Sequence, residues 1–134
     1  VRRTRVAAHA RDLIRAYDVR CEGPGQRIGL LSGGNIQKLL LGRVLEAGPR
    51  LLLADQPTRG LDIGAVAFVH GRLLEARRRG AGIVLISEDL EELLRLADRV
   101  AVMHRGRLSD TMPAKGVTVR ELGLLMTGQS LHAA

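Results

Sequence analysis

Aromatic residues are almost missing from this chain, which has no tryptophan, one tyrosine and one phenylalanine among 134 residues. The core must therefore be built from Leu, Val, Ile and Ala, and the stacking platforms of single-strand nucleic-acid binders are excluded. A single cysteine, Cys21, excludes an internal disulfide framework and suits a reducing compartment. The longest apolar runs, such as Ile83–Ile86 and Val100–Met103, fall far short of the ~18 residues that a membrane span requires. The start, Val1-Arg2-Arg3-Thr4-Arg5, lacks the apolar stretch of a signal peptide. His9, His70, His104 and His132 are too scattered for a metal site, and Met103, Met112 and Met126 read as core or loop fillers.

What is present is ordinary for one globular domain: 46% hydrophobic and 26% charged residues. The net charge of +7 raises nucleic-acid binding as a competing reading, with Arg77-Arg78-Arg79 as a phosphate patch. No helix-turn-helix or zinc pattern accompanies that charge. The three arginines fall at the end of an expected helix, where its dipole favours cations. No nucleic-acid partner is expected.

Hydrophobic spacing predicts alternating elements. Val6, Ala10, Leu13, Ile14 and Tyr17 recur at helical intervals, so Arg5–Tyr17 is an amphipathic helix. A loop follows at Arg20–Leu30, marked by Gly23-Pro24-Gly25. Asn35–Ala47 is a helix stopped by Gly48-Pro49, and Leu51–Ala54 a short buried strand. Gly64–Arg79 is a long helix with Val66, Val69, Leu73, Leu74 and Ala76 toward the core. Ile83–Ser87 is a strand, Asp89–Ala97 a helix and Val100–His104 another strand. Arg105-Gly106 turns the chain into a returning strand at Arg107–Ser109, and Thr118 caps a last helix ending at Thr127. Strands separated by helices imply an α/β fold, a largely parallel sheet flanked by helices.

Two polar elements stand out against this pattern. Leu31-Ser32-Gly33-Gly34-Asn35-Ile36-Gln37-Lys38 opens a helix, and Asp55-Gln56-Pro57-Thr58-Arg59-Gly60-Leu61-Asp62 follows an apolar strand. Ser32 can cap the helix, while Gly33 and Gly34 let the backbone approach an anion held by the free N–H groups and the helix dipole. Asp55 ends an apolar run, a suitable place for a carboxylate that holds Mg²⁺ through water. Singly, each element is an ordinary loop or turn. Together, in this order, they resemble the ATP-binding subunits of ABC transporters. Leu31–Gln37 matches the signature motif, Leu51–Asp55 the Walker B strand and Gly60-Leu61-Asp62 the D-loop at the cassette interface. The resemblance runs from about Arg11 to about Asp110. It is finest to the second cassette of double-cassette importers of simple sugars or nucleosides, and Gln56 leans toward the nucleoside type.

That resemblance implies the C-terminal part of a P-loop NTPase domain. Residues 1–48 would form the helical signature part, 49–110 the Walker B, D-loop and switch core, and 111–134 a C-terminal helix and tail. It implies ATP and Mg²⁺ as cofactors. It also implies a second cassette as partner, in the same polypeptide or a homodimer, beside transmembrane permease subunits at the inner face of the cell membrane. The Gly-x-x-x-x-Gly-Lys-Ser/Thr loop that cradles phosphates is absent from the 134 residues. With Val1 in place of Met, the chain reads as the C-terminal part of a longer protein, unable by itself to bind ATP in the usual way.

Two positions depart from the family. Gln56 stands where a Glu normally polarises the attacking water; Gln can orient a water but not take its proton, a loss typically costing ~10²–10⁴ in rate. Glu88 stands where a His normally meets the γ-phosphate, and its charge would repel that phosphate. Glu88 also reads simply as a solvent-facing acid at a helix start. The resemblance thus gives a degenerate catalytic half (Gln56, Glu88) beside an intact signature, lent to a partner cassette. Two alternatives stay open: a soluble ABC protein acting on ribosomes or DNA, and an inactive truncated remnant.

Overall fold

Helices and short strands alternate in the computed structural model, which describes residues 3–129. The chain divides into two compact units, Val1–Val84 and Leu85–Ala134. The first unit carries α1 (Arg3–Ala16), α2 (Gly33–Leu45), β1 (Leu51–Asp55) and α3 (Ile63–Arg78). The unit boundary falls inside β2 (Gly82–Ile86), the neighbour of β1. The Gly82 N–H donates to the Arg50 carbonyl at 2.9 Å, joining the N-terminal ends of both strands, which is the parallel arrangement that a helical crossover permits.

The core of the first unit sits where α1, α2 and α3 converge on Leu13, Tyr17 and Val19, with Ile14, Leu31, Leu39, Leu45 and Phe68 around them. Only the C-terminal half of α1 reaches this cluster. Val6, expected on the buried face, is 54% exposed, and with Ala7 and Ala10 it lines a cleft beside Pro24 and Gly25. The strand expected to be buried at Leu51–Ala54 is half-buried: Leu52 and Ala54 point inward, whereas Leu51 and Leu53 are 69% and 66% exposed. An all-apolar strand with one bare face is built for cover on both sides. On α3 the inward face is Ala65, Val69, His70 and Leu73, one register away from part of the expected set.

The second unit holds α4 (Leu90–Leu96), β3 (Arg99–Val100), β4 (Met103–His104), β5 (Arg107–Leu108), β6 (Met112–Pro113) and α5 (Val119–Met126). The strand expected over Val100–His104 is broken into two. The Ser109 hydroxyl accepts the Val102 N–H at 2.9 Å, and that side chain replaces a ladder partner. β3 then pairs antiparallel with β6, and β4 pairs antiparallel with β5. The turn at Arg105-Gly106 has φ of 47° and 75°, the doubly positive geometry that suits a two-residue hairpin. β6 has no counterpart in the sequence expectation, because Pro113 argues against a strand; lacking an N–H, it is tolerated in so short an edge pairing. The core here is Val100, Val102, Ala114 and Leu122, with α4 and α5 laid over it.

α5 has a full capping box. The Thr118 side chain accepts the Glu121 N–H at 3.2 Å, and the Glu121 carboxylate accepts the Thr118 N–H at 2.7 Å. The Thr118 backbone N–H, then its hydroxyl, hold the Glu121 carboxyl below its ordinary value. A depressed folded-state value means the cap contributes above the unfolded-state value of ~4.3 and is lost as pH falls below it. Glu121→Gln should therefore flatten the acid limb of the stability curve between about pH 5 and 3, read by denaturant titration at several pH values.

The bare face of β1 makes a second prediction. Leu51→Thr with Leu53→Thr should reduce self-association of the isolated chain. Sedimentation velocity at increasing concentration reads this; an unchanged size distribution would show that another surface drives association.

Candidate functional site

Ser32 has extended backbone and caps α2, so the helix begins at Gly33, two residues before the expected start. Its hydroxyl accepts the Asn35 N–H at 3.4 Å and the Asn35 side-chain Nδ2 at 2.8 Å. The Asn35 amide is oriented by its other end, because Oδ1 accepts the Arg20 N–H at 2.8 Å and only an oxygen can do so. Both acceptor positions of the Ser32 hydroxyl are thereby engaged, and its O–H remains able to donate. Gly33 is exposed, and a Cβ built there would meet nothing within 4 Å. The first turn of α2 is thus an open, donor-rich surface, which fits an anion. Leu31, by contrast, is partly buried and anchors the turn against the Leu13–Tyr17 cluster.

Asp55 is the exposed last residue of β1. Its carboxylate is a hard oxygen donor at the end of a strand, in keeping with Mg²⁺ held through water. Gln56 follows with φ of 48°, a left-handed conformation that few non-glycine residues adopt and that turns the chain sharply out of the strand. The turn closes through the Arg59 N–H to the Gln56 carbonyl at 3.2 Å and the Leu61 N–H to the Thr58 carbonyl at 3.1 Å. Asp62 then caps α3, its Oδ1 accepting the Ala65 N–H at 2.9 Å.

The two elements meet within the first unit. The Gln37 side chain on α2 donates to the Pro57 carbonyl at 2.9 Å. A Cβ on Gly34 would lie 3.3 Å from the Ala65 Cβ and 3.9 Å from Asp62 Oδ2. Glycine lets the signature turn approach the start of α3 this closely without pressing on Ala65. Gly34 and Gln37 of the first element are therefore brought against Pro57, Asp62 and Ala65 of the second. Glu88 belongs to the second unit, exposed, one residue before the Asp89 that caps α4.

A cluster that sequence reasoning passes over holds the first unit together. The chain's sole tyrosine and sole phenylalanine, Tyr17 and Phe68, meet edge to face with centroids 6.2 Å apart. The Arg72 guanidinium lies 4.8 Å from the Tyr17 ring centre and 5.1 Å from that of Phe68, and Lys38 lies 4.9 Å from Phe68. Arg72 also donates to the Ala16 carbonyl at 2.6 Å and to Glu75 at 3.0 Å. Lys38 donates to both the backbone carbonyl and the carboxylate of Asp18, and that hydrogen bond holds the Asp18 carboxyl below its ordinary value. Burial, then the Glu46 carboxylate, push the Tyr17 phenol up, so it remains a donor to Glu46 at neutral pH. The scarcity of aromatic residues was the available signal: two rings in so aliphatic a chain are apt to pack together.

No family model matches the chain. Curated relatives do. It is 47% identical over 125 residues to the guanosine import ATP-binding protein NupO of Bacillus subtilis (strain 168), covering 93% of this chain and 24% of that protein. It is 41% identical over 128 residues to the nucleoside import ATP-binding protein NupA of Lactococcus lactis subsp. cremoris (strain MG1363), covering 96% of this chain and 25% of that protein. Ribose and glucose import ATP-binding proteins match at 41% and 42%. Among solved structures, an ATP-binding subunit of an ABC transporter superposes with a TM-score of 0.74 at 23% identity, over 92% of this chain and 55% of the other. The chain belongs to the ABC ATP-binding cassette family and has the α/β fold of an ABC ATPase cassette; import of sugars and nucleosides is what the relatives are named for. It spans about a quarter of the length of the curated relatives it matches.

Arg72→Met keeps the aliphatic stem and removes both the cation over the two rings and the bond to Ala16. It should cost about 1–3 kcal/mol in the full-length protein, measured by denaturant unfolding of the domain. Gly42→Ala should act at the same place, since its Cβ would lie 2.9 Å from the Tyr17 ring.

Proposed function

We propose that this chain is the part of an import cassette that lends its signature turn to a partner cassette's ATP site, while its own site hydrolyses poorly. The observation that carries the reading is the Ser32 hydroxyl at the open N-terminus of α2, both lone pairs filled by Asn35 and its proton left to donate. A developing negative charge on a phosphoryl oxygen is the natural acceptor for that proton and for the neighbouring N–H groups. Ser32 to Asn35 would meet the nucleotide while Leu31 and Gln37 hold that turn in place, Asp55 would hold Mg²⁺ through water, and Gly60-Leu61-Asp62 would face the partner cassette. When bound, Mg-ATP supplies the phosphoanhydride and the charge neutralisation.

Gln56 sits where the water would be activated, and its amide can position a water without accepting a proton. Glu88, by residue identity alone, replaces a group suited to a phosphate with one that repels it. The site carrying Asp55 would thus bind nucleotide and turn it over slowly. Energy from the competent site would drive uptake of a small solute, a simple sugar or nucleoside, through transmembrane permease subunits at the inner face of the membrane. The relatives' names support this direction. Among the described residues no helix is long and apolar enough to cross a membrane.

In the full-length protein assembled with its permease, Ser32→Arg should nearly abolish steady-state phosphate release at saturating ATP. Gln56→Ala should lower it far less. Equal damage from both would make the Asp55 site the main hydrolytic one. The isolated chain should neither hydrolyse Mg-ATP nor bind it tightly, because no loop here cradles the inner phosphates. Calorimetric titration giving a dissociation constant below ~10 μM, about −7 kcal/mol, would contradict this.

A further inference from the structure

The Gln37–Pro57 bond links two elements that serve different nucleotides. On the reading above, the first turn of α2 completes the partner's site, whereas the Asp55–Gln56 corner belongs to the chain's own site. Gln37 stands in the second turn of α2, half-buried, and its amide Nε2 reaches the Pro57 carbonyl at 2.9 Å. Pro57 is buried, so this carbonyl is costly to leave without a donor. Pro57 also follows directly on Gln56, whose φ of 48° makes the corner a strained point that the surrounding structure must hold. The second contact between the two elements, Gly34 against Ala65 and Asp62, is a close steric approach that transmits displacement but offers no bond. Gln37 is the directional tie.

We propose that Gln37 is a positioning residue that couples the two sites: the nucleotide state of the impaired Asp55–Gln56 site sets, through Pro57 and Gln37, the placement of the Ser32 turn that the partner's site uses. A nucleotide that shifts the Gln56 corner moves the Pro57 carbonyl, and the amide on α2 follows it or loses its bond. Gln37 itself meets no scissile phosphate in this role; it acts through Ser32 and its neighbours. The inference rests on the proposed function and deepens it.

The test uses the full-length protein in its transporter, with two variants. Gln37→Met removes the donor without adding charge, and Gln37→Glu replaces the donor with an acceptor facing the Pro57 carbonyl. Steady-state phosphate release is measured against Mg-ATP concentration, beside the thermal midpoint of each variant. The wild type should show a Hill coefficient above 1, and both variants should fall to about 1, since two uncoupled sites fill independently. Their kcat should drop about three- to ten-fold while half-saturation changes less than about two-fold, as expected for a lost bond that does not touch the nucleotide. A merely structural role would lower the thermal midpoint and leave the Hill coefficient unchanged. A wild-type Hill coefficient of 1, or variants that keep the wild-type coefficient, would overturn the coupling. If Ser32→Arg measured in parallel left turnover intact, the underlying function would fail instead, independently of Gln37.

Discussion

The approach of α2 to the segment after β1 is the constraint on which the first unit depends. Three features make it possible at one place: a glycine at position 34, an amide at 37 that satisfies the buried Pro57 carbonyl, and Asp62 capping α3. A side chain at 34 would press on Ala65 and require the neighbour to give, and loss of the amide would leave the Pro57 carbonyl without this donor. The cost of either falls on the same few residues, which carry the chemistry of the proposed site. Tyr17, which lies against Gly42 and donates to Glu46 at the C-cap of α2, holds the other end, so that the helix is held at both ends rather than pivoting about one.

Electrostatics and geometry divide the work within this unit. Ser32 and Asn35 form a local network at the exposed start of α2, with the Ser32 O–H still able to donate. Preorganisation of that kind is worth most where charge develops during reaction. Gln56, in a left-handed turn closed by the Arg59 N–H, presents a neutral amide at the corner to which the proposed function assigns the attacking water. The two elements are thus chemically unequal while being mechanically joined, and that combination motivates the asymmetric reading.

Much of this is legible in the sequence, and particular residues explain why. The caps at Ser32 and Thr118 follow from short polar side chains placed just before apolar helical runs, and each is seen to accept a backbone N–H. The Arg105-Gly106 hairpin follows from turn chemistry. What could not be read depends on tertiary partners. Val6 obeys the helical period yet is exposed, because the residues that pack on α1 reach only its later turns. Val100–His104 has strand composition, but the Ser109 hydroxyl interrupts its ladder from seven residues away. Likewise Gln37 stands in the sequence only as one letter of a signature. Its bond to Pro57, twenty residues on, belongs to the fold.

Rapid-quench single turnover of the full-length, two-site protein tests the central asymmetry most directly. With both sites loaded with ATP before Mg²⁺ is added, the account predicts that about half of the bound ATP is hydrolysed in a fast phase. The remainder should follow at least ~10²-fold more slowly, the lower end of what loss of a general base costs. A single phase consuming all the bound ATP at one rate would contradict it.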